Sequence, residues 1–137
     1  MQESNSHAEV DALVGRFFSA FNNRGKRQPN LADLVSYFSP RAIVAKHFED
    51  QCELYSPEEF AAPRVALLTN GELIDFHEWE ESNTTEVLGS LSIRTSRYAK
   101  SGTYNGKPYS GTGTKFFQLA QFQSSWQIVA LSWIDDA

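Results

Sequence analysis

The chain has 137 residues, 41% of them apolar, which is enough for one domain with a shared core but too little for two independent ones. We therefore expect residues 1–137 to form a single domain. Its 12 lysines and arginines against 17 aspartates and glutamates give a net charge of −5, and the cations are scattered from Arg16 to Lys115. This argues against a nucleic-acid partner, because phosphate binding needs concentrated positive charge.

The sequence also argues against a membrane or an oxidising compartment. The single cysteine, Cys52, has no partner for an internal disulfide and is most simply a small buried apolar residue. Residues 1–10 lack the basic region and apolar stretch of a signal peptide, and no segment reaches the roughly 20 apolar residues that span a bilayer. The expected location is the cytoplasm.

The first predicted element is an amphipathic helix from about Ser6 to Arg24. Ser6 and Glu9 have the spacing of a capping box at its start, and Gly25 follows as a stop signal. Six apolar residues fall on one side of this helix at helical spacing: Val10, Leu13, Val14, Phe17, Phe18 and Phe21. The stripe predicts the face that packs on the core.

Two more helices and a strand are predicted next. A short helix fits Asn30 to Phe38, with Pro40 preventing its continuation, and residues 42–48 have the composition of a strand. A third helix begins at the Ser56-Pro57-Glu58-Glu59 capping box and ends near Gly71. Pro63 falls inside it and is expected to kink or interrupt it, because proline removes a backbone N–H donor.

The rest of the chain predicts an antiparallel sheet. Its four segments are Glu72 to Glu81, Thr85 to Lys100, Gly111 to Gln123 and Trp126 to Asp135. The second alternates apolar and polar residues, which predicts one solvated face, and Asn105-Gly106 favours a tight hairpin turn. The last two segments are apolar on both faces. Helices can cover only one face of a sheet, so we expect a homodimer in which a second copy covers the other.

Three helices followed by four long antiparallel strands resemble the nuclear transport factor 2-like (NTF2-like) superfamily, over nearly the whole chain. The segments 111–119 and 126–133 resemble the closing hairpin of its SnoaL-like and related uncharacterised branches. This resemblance implies a cone-shaped α+β fold, with a curved sheet packed on the helices around a pocket and with dimers in many members. The superfamily includes ketosteroid isomerase, polyketide cyclases, dehydratases and non-catalytic scaffolds, so the fold does not select a function.

Ketosteroid isomerase chemistry is not expected. Where the resemblance places that enzyme's protonated aspartate, this sequence has Gln118, and its base position falls near Lys46. Such an isomerase needs a carboxylate base and an acidic donor to stabilise the enolate, and glutamine is the weaker donor.

The strand after Gly71 holds the best candidate for a general base. Asp75, His77 and Trp79 are two apart and share one face, so an inward face would place an acid, an imidazole and a stacking ring in one cleft. His77 would be the base and Asp75 its orienting partner. In the alternative, Ile74 and Phe76 face the core and the polar set faces solvent or a partner.

Aromatic residues and one amide complete the predicted site. Apolar pockets are lined chiefly by aromatic and aliphatic side chains, and Gln118 either orients a ligand or bonds to neighbouring backbone. The candidate ligand contacts are Trp79, Gln118, Trp133, His47, Tyr37 and Phe21.

No metal and no cofactor are expected. His47 with Glu49 and Asp75 with His77 are each two apart on a strand, but neither strand offers a third histidine.

Two functions remain open at this stage. The first is a pocket protein that binds a small, largely apolar organic molecule and catalyses cofactor-free proton transfer, hydration or dehydration. The second is a non-catalytic homodimeric ligand-binding or scaffold domain. An inward His77 would favour the first function, and an outward His77 the second.

Overall fold

A computed structural model describes the backbone of residues 2–137 and the side chains of residues 5–137. Over this range the chain forms three α-helices, one 3₁₀ turn and six strands. The helices are α1 Gln2–Ser19, α2 Leu31–Ser36 and α3 Pro57–Thr69, and the 3₁₀ turn is Arg24–Lys26. The strands are β1 Phe38–Phe48, β2 Gln51–Tyr55, β3 Leu73–Leu88, β4 Leu91–Tyr104, β5 Lys107–Phe122 and β6 Ser125–Asp135. The predicted α+β class, with helices packed on a curved sheet, is confirmed.

The six strands form one sheet in the order β2-β1-β6-β5-β4-β3. Neighbouring strands are antiparallel except for β1 and β6, which run parallel. The pairing register shifts at four places, in β1, twice in β3 and in β6 beside β5. Such irregularities bend a strand and increase its twist, which is how long strands wrap around a core.

Helix α1 supplies a large part of the core. All six residues of its predicted stripe are buried, and Phe17 makes edge-to-face contacts with Phe21 and Phe117. The predicted helix ends are wrong. The helix begins at Gln2, so Ser6 is a buried residue within it and not an N-cap, and it ends at Ser19. Gly25 lies in the separate 3₁₀ turn with a φ of 62°.

Helix α2 is shorter than predicted because β1 begins early. The Asn30 side chain caps the helix by accepting from the Asp33 N–H at 3.0 Å. Strand β1 starts at Phe38, which pairs with Ile128 of β6, and Pro40 falls in the irregular stretch between Phe38 and Ile43. A proline cannot donate to a strand ladder, so it is tolerated where the register is already broken.

Strand β2 was missed by the sequence pattern. It is an edge strand of five residues, of which only Tyr55 is partly buried. Because both of its faces are exposed, it shows no alternation of apolar and polar residues. Cys52 is exposed on it and is not a buried core residue, contrary to expectation.

Helix α3 has its predicted start and continues through its proline. The Ser56 side chain accepts from Glu59 N–H, and the Glu59 carboxylate accepts from Ser56 N–H, which confirms the capping box. The expected interruption at Pro63 is wrong, because the helix runs on to Thr69. Burial of Phe60 before the proline and Leu68 after it holds both halves against the core, which offsets a cost of roughly 3 kcal/mol.

The predicted strand from Thr85 to Lys100 is in fact parts of two strands. Gly89, with a φ of 59°, lies in a tight turn between β3 and β4. The alternation that suggested one strand therefore crosses a hairpin. Its polarity is also reversed, since Arg94 is buried whereas Leu91 and Ile93 are 59% and 53% exposed.

The sheet thus has an inner face against the helices and an outer face that no described residue covers. The exposed apolar side chains of the outer face, called the outer patch below, are Ile43, Leu91, Ile93, Phe116 and Ile134. No helix within residues 2–137 is long and apolar enough to cross a membrane.

Candidate ligand-binding cavity

A cavity of about 280 Å³ lies between α3 and the inner face of the sheet. Its walls come from one helix and five strands as well as the end of the α1 stripe. The lining residues are Phe21, Lys46, Phe60, Pro63, Arg64, Leu67, Leu68, Leu73, Phe76, Glu78, Tyr98, Lys100, Tyr109, Lys115, Trp133 and Asp135. Six of these sixteen residues are charged, which differs from the largely apolar pocket that the sequence predicts.

The β3 wall depends on an irregularity at Asp75. Two residues of β3, Asp75 and Phe76, oppose the single residue Gly102 of β4, and Asp75 takes a φ of 52°. The extra residue reverses the alternation of the strand, because successive side chains otherwise point to opposite faces. Leu73 and Phe76 both face inward as a result, and Glu78 follows Phe76 into the cavity.

The irregularity carries the predicted catalytic set to the outside. With regular alternation, Asp75, His77 and Trp79 would share the inward face of Leu73. In the structure none of the three lines the cavity, and Asp75 and Trp79 are exposed. The alternative interpretation places both Ile74 and Phe76 in the core. It is right for Phe76, which is buried, and wrong for Ile74, which is exposed.

His77 and Trp79 pack on each other on this outer side. Their rings stack at a centroid distance of 4.4 Å, and the buried Nδ1 of His77 has no hydrogen-bond partner among the described residues. Desolvation, with a smaller contribution from the charge of Arg24, lowers the pKa of His77. Asp75 is not among the groups that change it.

The other predicted contacts divide between the cavity and the surface. Phe21 and Trp133 line the cavity. Tyr37 lies in a polar groove beside α1 and α2, Gln118 lies in an apolar groove on the outer face, and His47 is exposed on β1. Gln118 lies outside because its neighbours Phe117 and Leu119 face the core.

A buried ion pair stands in the cavity wall. The ammonium of Lys115 lies 3.0 Å from Glu78 Oε2, and the two side chains are 6% and 9% exposed. The contact is an ion pair, and Oε2 has no other partner among the described residues. A carboxylate oxygen has two lone pairs, so one of them remains open.

Aromatic rings surround the other side of Lys115. Its ammonium lies 4.1 Å from the ring centroid of Tyr98 and 5.0 Å from that of Trp133. Burial lowers the pKa of Lys115, and the charge of Glu78 opposes that change. The rings and Glu78 together compensate part of the cost of burying the ammonium.

A second polar group lies at the β4–β6 side of the cavity. The Tyr98 hydroxyl donates to the Asp135 carboxylate, and Lys100 Nζ lies 3.3 Å from the same oxygen. Burial alone would raise the pKa of Asp135, but the hydrogen bond from Tyr98 and the charge of Lys100 lower it overall. Burial, followed by the bond to Asp135, raises the pKa of Tyr98. The tyrosine therefore stays protonated and the aspartate ionised at neutral pH.

Gly113 makes this arrangement possible. It pairs directly with Tyr98 on one side and Asp135 on the other. A side chain there would overlap the Tyr98 hydroxyl and come within 2.6 Å of the Ile134 carbonyl oxygen. Only glycine leaves room for the tyrosine to reach across β5 to the aspartate.

Arg64 is the charged residue that α3 contributes to the cavity wall. Its guanidinium lies 4.5 Å from the Phe60 ring centroid and 5.1 Å from that of Trp133, and Nη1 donates to the Phe60 carbonyl at 2.9 Å. Burial lowers the pKa of Arg64, although an arginine remains charged in proteins.

Five charged residues of the cavity wall are not predicted from the sequence: Glu78, Lys115, Lys100, Asp135 and Arg64. One signal was available. Lys115 has the same parity as Phe117 and Leu119, so a charge sits on the buried face of an apolar strand. Among the described residues there is no group of three or more metal-ligating side chains.

No protein-family model and no curated protein matches the sequence. Solved structures do match it over almost their whole length. An NTF-2 like protein of unknown function from Silicibacter pomeroyi is 20% identical, with a TM-score of 0.68 over 99% of this chain and 100% of that chain. The chain has the NTF2-like fold. The predicted resemblance to this superfamily is confirmed at the level of the fold.

Other proteins with the NTF2-like fold carry more specific names. The hexachlorocyclohexane dehydrochlorinase LinA-type3 from Novosphingobium barchaimii is 13% identical, with a TM-score of 0.75 over 98% of this chain and 89% of that chain. A putative calcium/calmodulin-dependent kinase II association domain from Exiguobacterium sibiricum is 11% identical, with a TM-score of 0.75 over 96% of this chain and 94% of that chain. At these identities the likeness is one of fold.

Proposed function

We propose that the cavity binds a small organic molecule and that Glu78 moves a proton to and from it without a cofactor. The observation that carries this proposal is the buried Glu78 carboxylate, which lines the cavity and whose Oε2 contacts only the Lys115 ammonium among the described residues. A general base needs an open lone pair within reach of the substrate proton. His77, the base expected from the sequence, lies outside the cavity.

Lys115 supports the same chemistry. When a carboxylate removes a proton from a carbon next to a carbonyl, negative charge develops on the carbonyl oxygen. The Lys115 ammonium, 3.0 Å from Glu78 and within the cavity wall, is placed to stabilise that charge. Little water surrounds either group, so the electrostatic interaction is stronger than it would be in solvent.

A protein with this fold can act on a small organic molecule, since one neighbour is named a hexachlorocyclohexane dehydrochlorinase. Removal of hydrogen chloride takes a proton and a leaving group from adjacent carbons, which also requires a base. That protein supports only the type of reaction proposed for this chain, which is the removal of a proton by a base.

The test has two steps. A library of neutral and charged small organic molecules is first screened by thermal shift against the wild type and Leu67→Trp, which fills the cavity. For each ligand that stabilises only the wild type, hydrogen–deuterium exchange at its acidic C–H positions is then followed by NMR in D₂O. We expect Glu78→Gln to slow the enzyme-dependent exchange by about 100-fold or more, the usual contribution of a general base.

Glu81→Gln is the matched control, because Glu81 is exposed on the same strand. It is expected to exchange at the wild-type rate. If the ligands stabilise Leu67→Trp as much as the wild type, they do not bind in the cavity. Undiminished exchange in Glu78→Gln would leave the binding site but remove Glu78 as the base.

A second candidate function, association of two copies through the sheet, is favoured by the outer patch. Phe116, Ile93 and Leu91 are each more than half exposed on one face. We propose that a second copy of the chain covers this face, so that the protein is a homodimer. One neighbour in the fold comparison is named an association domain. Light scattering coupled to size-exclusion chromatography should give twice the mass of one chain, and the mass of a single chain would contradict it.

A further inference from the structure

Three cationic groups converge on the ring of Trp133 in the cavity. Lys115 lies 5.0 Å, Arg64 5.1 Å and Lys46 5.9 Å from the ring centroid. Only Lys115 has a carboxylate partner. Among the described residues, no carboxylate lies within ion-pair distance of Arg64 or Lys46.

The guanidinium of Arg64 also has unused hydrogen-bond donors. Its single hydrogen bond within the described part of the chain joins Nη1 to the Phe60 carbonyl oxygen. An arginine has five N–H donors in a planar fork that matches two oxygens of one anion. Contact with the Phe60 ring holds this fork in place, so little entropy is lost when an anion binds.

The charge of the whole cavity points the same way. Its lining includes four cations, Lys46, Arg64, Lys100 and Lys115, against the two carboxylates Glu78 and Asp135. The difference, 4 − 2, leaves an excess of two positive charges, whereas the complete chain carries −5. A local excess of this sign in a net acidic protein attracts anions to the cavity.

We propose that the ligand of the cavity is a small aromatic carboxylate. Its carboxylate binds Arg64 and Lys46, which are only partly buried, and its ring packs on Trp133 and Phe60. The remainder of the molecule then reaches the more deeply buried Glu78 and Lys115. This inference rests on the proposed function, because it names the class of molecule on which Glu78 would act.

The size of the cavity limits the ligand. A volume of 280 Å³ is close to the lower end of the range for ligand pockets, about 300 to 1,000 Å³, and has room for one aromatic ring with a short carboxylate-bearing side chain. Phenylacetate and cinnamate are suitable probes.

A carboxylate is favoured over a phosphate ester. Phosphate sites use backbone N–H groups at helix N-termini, and the part of α3 that lines the cavity runs from Phe60 to Leu68, past the first turn. The anion is therefore met by side chains and aromatic faces only.

The test measures affinity for matched pairs by isothermal titration calorimetry: phenylacetate against phenylacetamide, and cinnamate against cinnamamide, with phenyl phosphate as a third class of probe. We expect the acids to bind the wild type at least ten times more tightly than the amides. The ratio of the affinity for the acid to that for the amide should fall toward one in Lys46→Gln and in Arg64→Gln. Arg64→Lys should keep part of the preference. Arg41→Gln, which removes an exposed arginine of the same sheet, is the control and should keep all of it.

The outcomes separate this inference from the proposed function. Equal affinity for acids and amides, with both lost in Leu67→Trp, would overturn the carboxylate but leave the binding site. Tighter binding of phenyl phosphate than of either acid would also overturn it. If no probe binds, the aromatic carboxylate is wrong, and the neutral members of the library described above decide the proposed function by themselves. Since Arg64→Gln also loses a contact with Phe60, the unfolding transition of each variant is measured alongside, and Lys46→Gln carries the test if Arg64→Gln is unfolded.

Discussion

At the scale of single residues, the cavity holds groups whose positions cost stability. Lys115 and Glu78 are both almost fully buried and oppositely charged. A buried ion pair seldom exceeds in stability a pair of apolar residues of similar size, because both charges lose their hydration. Their presence is therefore better explained by what they do to a ligand than by what they do for the fold.

Substitution of the pair should show this balance. We expect Lys115→Met to lower the free energy of unfolding by about 3 kcal/mol, because it leaves the Glu78 charge buried without a partner. The double variant Glu78→Leu/Lys115→Met should recover most of that loss while losing the proton exchange proposed for Glu78. Urea denaturation of the two variants measures both effects, and a Lys115→Met variant as stable as the wild type would contradict the ion pair.

Gly113 gives a second prediction at this scale. Gly113→Ala should destabilise the protein by about 1 to 3 kcal/mol, the usual cost of overpacking, and displace Tyr98 from Asp135. Gly111→Ala is the control on the same strand, since its added carbon meets only the flexible side chain of Lys100 at 3.2 Å. Thermal unfolding compares the two. Equal transition temperatures would mean that Tyr98 does not cross Gly113.

At the scale of elements, one arginine joins α1 to the sheet. Arg94 of β4, 4% exposed, lies 2.5 Å from Asp11 of α1 and 2.5 Å from Glu80 of β3. Ser96 also donates to Glu80. The helix is thus attached by charge at one point as well as by its apolar stripe.

Removing that arginine should be costly. Arg94→Ala leaves the largely buried Glu80 without its cation, and we expect a loss of about 3 to 5 kcal/mol in the free energy of unfolding. Arg97→Ala breaks an ion pair whose side chains are both 43% exposed, so its loss should stay below about 1 kcal/mol. Chemical denaturation of both variants is the measurement, and similar losses would be the contrary result.

The elements also show what the sequence could and could not predict. The α1 stripe and the Ser56 capping box are local patterns, and both appear in the structure. The inward face of β3 could not be predicted, because it depends on the extra residue at Asp75, which alternation alone does not reveal. The expected inward position of His77 is wrong for the same reason, because the extra residue turns Glu78 and not His77 toward the cavity.

At the scale of the whole molecule, the cavity and the outer patch lie on opposite faces of one sheet. Phe116 and Ile93 are exposed and do not line the cavity, so a partner can cover them without entering it. Association and ligand binding are therefore separable by substitution.

The dimer is tested on this basis. Ile93→Glu with Phe116→Glu should convert a dimer into a monomer in light scattering, because two charges of the same sign on neighbouring strands cannot be buried unpaired in an interface. Ligand affinity in the cavity should remain. Ala12→Glu, on the exposed side of α1, is the control and should stay dimeric. Loss of ligand binding together with the dimer would show that the two sites depend on each other.

Strand β4 also bears on how the chain avoids misfolding. It exposes Leu91 and Ile93 and buries Ser92 and Arg94, so a shift of its pairing register by one residue would turn its more apolar face toward the core. Simple hydrophobic collapse would reward that wrong alignment. Asp11 and Glu80 penalise it, because only the native alignment delivers a positive charge to both. We therefore expect Arg94 to favour the native register during folding, and its loss should populate chains with a shifted β4 register that aggregate.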